Sequence, residues 1–245
     1  AAALAAGALA LAVLPPAARA ASSSPAAGYE AIDGPYFERN LPGKLAESLA
    51  AARAALQERP GDAALLWREG RDLVRRGEKA SGKAGKLADY RAAEAALARA
   101  VELDPKSADA HFWYGVAMGR RGETQGILHS LFLIKPIRAQ MRATLALDPD
   151  HGGAHRVLGE ILWQVPGFAG GDKKAALAEF EAAVRLDPSY TANYEPLAQA
   201  YLHFHRGRAA VRVLKALEAV KEPKDPASYP DDLADARKTL AELAR

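Results

Sequence analysis

The chain has 245 residues, is rich in alanine and leucine, and carries 33 basic against 30 acidic side chains with no cysteine. Disulfides, thiol catalysis and cysteine-based zinc sites are therefore excluded. A net charge of +3 without a clustered basic stripe does not make a nucleic-acid surface, and the scarcity of β-branched and aromatic residues favours helices over sheets.

Residues 1–20 read as the apolar part of an export signal. Pro15 and Pro16 break the apolar run, and Ala18-Arg19-Ala20 gives a small-x-small cleavage pattern. The run is too short for a bilayer span, and no cysteine follows it to be lipidated at this site. The expectation is a periplasmic or secreted product cleaved near Ala20. Residues 21–40, small, polar and interrupted by Pro and Gly, read as a linker whose Tyr29, Tyr36 and Phe37 pack on the first helices.

The repeat domain is expected over residues 41–221. Lys44–Arg59 places Leu45, Leu49, Ala52 and Leu56 on one helical face and stops at Pro60. Asp62–Gly77 follows with Trp67 in the first consensus slot. A loop over 77–86 comes next, then a helix over Leu87–Leu103. The lysines of that loop lack the G-x-x-x-x-G-K-[ST] arrangement of a phosphate loop and read as solvated. A-D-A-H-F-W-Y-G-V-A-M (108–118) and G-G-A-H-R-V-L-G-E-I-L (152–162) are copies of one element. Each leads to a second amphipathic segment that closes at Pro149 or Pro188. These match the tetratricopeptide pattern: Gly115 and Gly159 in the small-residue slot, His111 and His155 where Trp is usual, Met141 and Phe180 in the Phe slot.

Two inserts interrupt the regular spacing. G-I-L-H-S-L-F-L-I-K-P-I-R (126–138) is the most apolar segment after the leader and should end or kink near Pro136. It is either sandwiched between helices or offers an apolar surface to a ligand or a neighbouring subunit. In the second insert, Q-V-P-G-F-A-G-G-D (164–172), Asp172 is placed to cap the next helix. A fourth repeat, a linker over 222–230 and a capping helix over 231–245 complete the all-α, tetratricopeptide-like hairpin array.

The concave positions of the repeats project Arg68, Asp72, Arg75 and Arg76 from the first and Phe112, Val116 and Arg120 from the second. Arg156, Glu160, Trp163 and Gln164 follow from the third, then Glu195, Gln199 and His203 from the fourth. With Phe132 of the insert, such a lining suits a ligand with an anionic head and an apolar body. The histidines lack metal-ligand spacing and no hydrolase motif is present, so no catalytic residue, metal or cofactor is expected.

The A-H-F-W-Y-G helix, the insert at 126–138, L-D-P-D-H-G-G-A-H-R-V-L-G and P-G-F-A-G-G-D-K-K-A together resemble the TatT family, the T component of tetratricopeptide-associated TRAP transporters, over roughly residues 62–221. Related patterns also occur in regulators of microtubule dynamics. The TatT resemblance implies a non-enzymatic exported protein that associates with a periplasmic solute-binding protein and helps deliver an apolar or organic-acid ligand. A second copy of the chain is a further candidate partner. The alternative is a protein–protein scaffold or adaptor in the cell envelope whose inner face grips a peptide or helix.

Overall fold

The computed structural model describes residues 28–244; the leader read at 1–20 and the first residues of the adjoining linker lie outside them. Among the described residues there are eleven α-helices, two short 3-10 turns and no strand. In chain order the helices are α1 (Glu30–Phe37), α2 (Lys44–Glu58), α3 (Ala63–Lys79), α4 (Lys83–Leu103), α5 (Ala108–Gln125) and α6 (Ile127–Leu147). Then come α7 (Gly152–Gln164), α8 (Lys173–Leu186), α9 (Tyr194–His203), α10 (Gly207–Glu218) and α11 (Tyr229–Leu243). The pairs α3/α4, α5/α6, α7/α8 and α9/α10 are the antiparallel hairpins of the array, and α11 packs on α10.

The first three hairpins close where their first helix has no side chain to hold the second away. A Cβ on Gly159 would lie 2.6 Å from the Phe180 ring, and one on Gly115 would collide with the Met141 methyl. Leu97 meets Gly70 in the same way, so Leu97, Met141 and Phe180 plug equivalent slots and are buried. Side-chain caps start several helices: Asp62 on α3, Ser107 on α5, His151 on α7 and Asp172 on α8 each accept a first-turn amide.

A second repeated device sits at the slot usually given to Trp. His111 bonds the Pro105 carbonyl at 3.1 Å and Gln140 at 2.6 Å, while His155 reaches the Pro149 carbonyl at 3.4 Å and Glu179 at 2.7 Å. The Tyr194 hydroxyl donates to the Pro188 carbonyl at 2.8 Å. In all three repeats the slot ties the first helix to the closing proline of the hairpin before it, which accounts for these histidines without a metal.

Three sequence-based boundaries differ from the structure. The segment read as a linker over 21–40 contains α1, because Ile32 and Tyr36, four apart, bury one face of it and Asp33 enters a buried ion-pair cluster. The lysine-rich loop expected over 77–86 shrinks to residues 80–82, since α3 runs on to Lys79 and α4 begins at Lys83. The insert at 126–138 neither ends nor restarts at Pro136. It is the first half of the 21-residue α6, held on α5 by Ile137, Met141 and Thr144.

The segment over 222–230 is also more than a spacer. The Lys224 amide bonds the Ser189 carbonyl at 2.9 Å. Asp225 is buried in a bidentate pair with Arg39, at 2.6 and 2.5 Å, and Ser228 adds a third contact to the same guanidinium at 2.7 Å. Residues 186 apart in sequence thus meet, so the two ends of the repeat array close over its concave side.

Candidate binding groove

The small-residue slot of each hairpin (Gly70, Gly115, Gly159 and Ala198) fixes the frame of the concave face. The residue three before, the residue one after and the residue five after it share that face. In the second, third and fourth repeats these positions are the ones expected from sequence. In the first they are Trp67, Arg71 and Arg75, whereas the sequence pattern pointed to Arg68 and Asp72. The slip has a physical origin. Trp67 looks like the consensus tryptophan, but the packing slot belongs to Leu66, which clusters with Ala100 and Ala110.

The concave face holds two chambers. The first, about 280 Å³, lies between α3, α5 and the closing segments and is lined by Trp67, Phe112, Trp113 and Tyr36 among charged groups. Asp33 accepts from Arg68 at 2.8 Å and from Arg71 at 2.9 Å, and Arg71 also pairs with Asp72 at 3.0 Å. Arg71 stacks 3.4 Å from the Tyr36 ring centroid and Arg68 4.3 Å from that of Trp67. Arg75 reaches Glu78 at 3.0 Å and Asp225 at 3.5 Å. Arg71 Nη2 is buried and has no hydrogen-bond partner among the described residues.

These ion pairs set the charge states around the chamber. Burial alone would raise the Asp225 carboxyl, but Arg39 and Arg75 outweigh it and hold the group below its ordinary value. Glu78 follows the same balance: burial pushes up, and Arg75 with Arg120 pulls further down. At Asp72 burial wins against Arg71 and Ser48, and its carboxyl is raised. His151, buried against Phe112, is pushed down to about 4 by burial and then by the Lys224 charge, so it is neutral at pH 7. Its Nδ1 accepts the Ala154 amide, which leaves the proton on Nε2.

The second chamber, about 630 Å³, opens between the end of α5, the start of α6 and α7. Its walls are aliphatic, with Val116, Leu133, Ile134, Ile137, Val157 and Ile161, and glycines 115, 119 and 122 of α5 form part of its lining. Arg120 with Glu78 and Glu123, and Arg156 with Glu160, supply charged walls already paired within the chain.

The expected site residues therefore divide. Val116, Arg120, Arg156, Glu160 and Gln164 are brought together around the apolar chamber, and Phe112 and Arg68 line the polar one. Asp72 is fully buried, bonded to Ser48 and Arg71, and acts as a tie between α2 and α3. Trp163 turns away from the groove to pack near Phe180, His203 and Phe204. Glu195 holds Gln199 at 2.7 Å and accepts from Thr239 of α11 at 3.2 Å, so the capping helix takes up this end of the face. Phe132, placed in the ligand lining by sequence, lies outside both chambers and is 83% exposed beside Ile127 and Leu128, so of the two readings of the insert the exposed apolar surface is the one seen. Missed by sequence were Trp67, Arg71, Tyr36 and Lys224. Of these, Trp67 and Arg71 follow from the correct repeat frame, whereas the other two arrive from segments outside the repeats.

Stacked hairpins around a concave groove define a tetratricopeptide-like helical-repeat protein. A thermophilic tetratricopeptide protein of Thermus thermophilus, TTC0263, has the same fold, with a TM-score of 0.59 over 84% of this chain and 98% of that one, at 17% identity. The family model for regulator of microtubule dynamics protein 1-3 matches residues 40–167, just over half of the chain, and the chain belongs to that family. Regulator of microtubule dynamics protein 1 of Bos taurus is 28% identical over 168 residues, 61% of this chain and 52% of the relative. Protein 3 of the same organism is 27% identical over 198 residues, 72% of this chain and 41% of the relative. The chain thus spans about half the length of the curated relatives it matches.

This corrects the assignment to the TatT family. The helix A-H-F-W-Y-G and the apolar insert, which carried that resemblance, lie inside the stretch matched by the microtubule-regulator family. The role in TRAP transport falls with it. The expectation of a periplasmic or secreted product is overturned as well, since the family that matches is that of the microtubule regulators and not that of an exported transporter component. Among the described residues, no helix is long and apolar enough to cross a membrane and no cluster of three or more potential metal ligands occurs.

Proposed function

We propose that this chain is a non-enzymatic protein-interaction module whose apolar chamber receives an amphipathic helix from a partner protein. The carrying observation is the shape of the second chamber: an aliphatic trough of about 630 Å³ bordered by charged side chains, beside exposed Ile127, Leu128, Leu131 and Phe132. A helix laid in such a trough buries residues at i, i+3, i+4 and i+7, and its flanking polar residues meet Arg120, Glu123 and Glu160. The surrounding hairpins supply a rigid wall, which lowers the entropy lost on binding. Membership of the microtubule-regulator family favours a partner that acts on microtubules.

A photoreactive phenylalanine analogue at Leu131 tests this reading. It should crosslink a discrete polypeptide in cells, and Ile127→Asp, at an exposed residue of the trough lining, should reduce that product at least tenfold while the protein stays folded. The family reading adds that wild-type protein, but not Ile127→Asp, changes the polymerisation rate of purified tubulin in the presence of the crosslinked partner. Crosslinking to no polypeptide, or equal crosslinking by the variant, sinks the proposal.

A further inference from the structure

The polar chamber contains chemistry that a helix-binding trough does not use. Four cationic groups line it (Arg68, Arg71, Arg75 and Lys224) with three carboxylates (Asp33, Asp109 and Asp225), and the ion pairs reach on to Asp72, Glu78 and Asp187 behind them. One of those carboxylates, Asp109, is solvent-exposed, and it appears in no hydrogen bond or ion pair among the described residues. Inside, Arg71 Nη2 lacks a partner, and His151 carries its proton on Nε2, so the wall holds donors in excess of acceptors. Trp67, Phe112, Trp113 and Tyr190 provide ring faces around these donors.

We infer that this chamber binds a monocarboxylate carried on an aromatic body, at a site distinct from the apolar trough. One negative charge is favoured over two, because Arg68, Arg71 and Arg75 are already committed to carboxylates and Lys224 to Asp187 at 2.7 Å, which leaves Arg71 Nη2 as the free cationic donor among the described residues. Nε and Nη1 of Arg71 are held by Asp72 and Asp33, so a carboxylate oxygen takes Nη2 in a charge-assisted hydrogen bond. Size agrees as well: a cavity of about 150 Å³ takes a benzene ring, and the 280 Å³ here leaves room for a short acid chain. The group has two sources, a free aromatic acid or the carboxyl terminus of a polypeptide that ends in an aromatic residue.

Titration calorimetry on the full chain tests the inference with 3-phenylpropionate, its neutral amide 3-phenylpropanamide, and phenyl phosphate. The acid should bind at least tenfold more tightly than the amide and more tightly than the phosphate dianion. Lys224→Gln should weaken the acid about fivefold and leave the amide unchanged. Arg71→Lys should weaken it tenfold or more, provided its melting temperature shows it folded. Ile127→Asp, which sets a charge in the helix trough, should bind the acid like wild type, so failure of one site is told apart from failure of the other. A pentapeptide ending in phenylalanine as the free acid, compared with its carboxamide, separates the sources: tighter binding than 3-phenylpropionate assigns a chain terminus, and weaker binding assigns a free acid. Equal affinity for acid and amide, no binding of either, or tighter binding of the phosphate overturns the assignment.

Discussion

The two chambers are built from the same three positions of successive repeats, yet one is filled with ion pairs and the other with aliphatic wall. In the polar chamber Arg71 and Arg75 occupy positions that Val116 and Arg120 occupy next door. The polar end is closed by α1 and by residues 224–228, which bring Asp33 and Asp225 to those guanidinium groups. Among the described residues no such segment covers the apolar end, where the elongated start of α6 stands beside α7 and leaves the trough open. A shared repeat frame thus fixes where side chains point, while the segments that cross the face decide whether a position becomes scaffold or binding surface.

Breaking the scaffold side should have the largest effect. Asp33→Ala leaves Arg68 without its carboxylate and Arg71 with Asp72 alone, both guanidinium groups about 4% exposed. Loss of one partner from a buried pair costs about 3–5 kcal/mol, so the unfolding free energy extrapolated from urea titration should fall by that amount. A shift within about 0.5 kcal/mol would mean that α1 does not hold the polar chamber closed.

Acidification probes the same end through His151. Its folded-state pKa, about 4, lies below the ordinary 6.5, so the unfolded chain takes up the proton first. The stability tied to neutral His151 is complete above pH 6.5 and is lost as pH falls from 6.5 to about 4. The depression corresponds to about 3 kcal/mol at 1.36 kcal/mol per pKa unit. Around the ring, Lys224 and His155 oppose protonation and Asp187 favours it. His151→Asn keeps a capping side chain for α7 and removes the titration. Its stability should therefore change less than that of wild type between pH 6.5 and 4.5 in paired denaturation series. Identical slopes would remove His151 as the cause.

A smaller effect is expected where the two chambers share one rule. Gly159→Ala places a methyl 2.6 Å from the Phe180 ring and should cost about 1–3 kcal/mol by overpacking, against the slight gain in helix propensity. Gly119→Ala, on the trough wall, meets its nearest neighbour at 3.9 Å and should be neutral or stabilising by thermal melting. Equal penalties at both would show that glycine in α7 does not mark hairpin closure.

The repeats were legible because their information is local. Gly115 with Met141, Gly159 with Phe180, and the His–Pro spacing can be read within one hairpin, and Asp172 caps α8 as its position indicates. The polar chamber was not legible, since Asp33, Tyr36 and Asp225 come from short segments punctuated by Pro and Gly that carry no helical periodicity. In the first repeat, a tryptophan one residue from the consensus slot shifted the projected face and replaced Arg71 by Asp72. The family assignment failed for a related reason. A hairpin motif and an apolar insert belong to a fold and do not separate a transporter component from a microtubule regulator.

The smallest effect on folding is expected at Phe132, in the insert that sequence left either sandwiched or exposed. Phe132 is 83% exposed, with Ile127 and Leu128 beside it at 81% and 71%, while Leu133 and Ile137 of the same helix pack inward on α5. Phe132→Asp removes little buried surface and sets no charge in the core, so the unfolding free energy should change by less than about 0.5 kcal/mol. Leu133→Asp, one residue along and about 100° round the helix, should cost several-fold more, because Leu133 packs against the core built around Met141 and Ile137. The paired measurement decides what the exposed stripe is for. A folded Phe132→Asp protein with lost partner binding makes the stripe part of the interaction surface. A destabilised one would mean that α6 packs more deeply than it stands here, and the trough would then be too narrow for a helix.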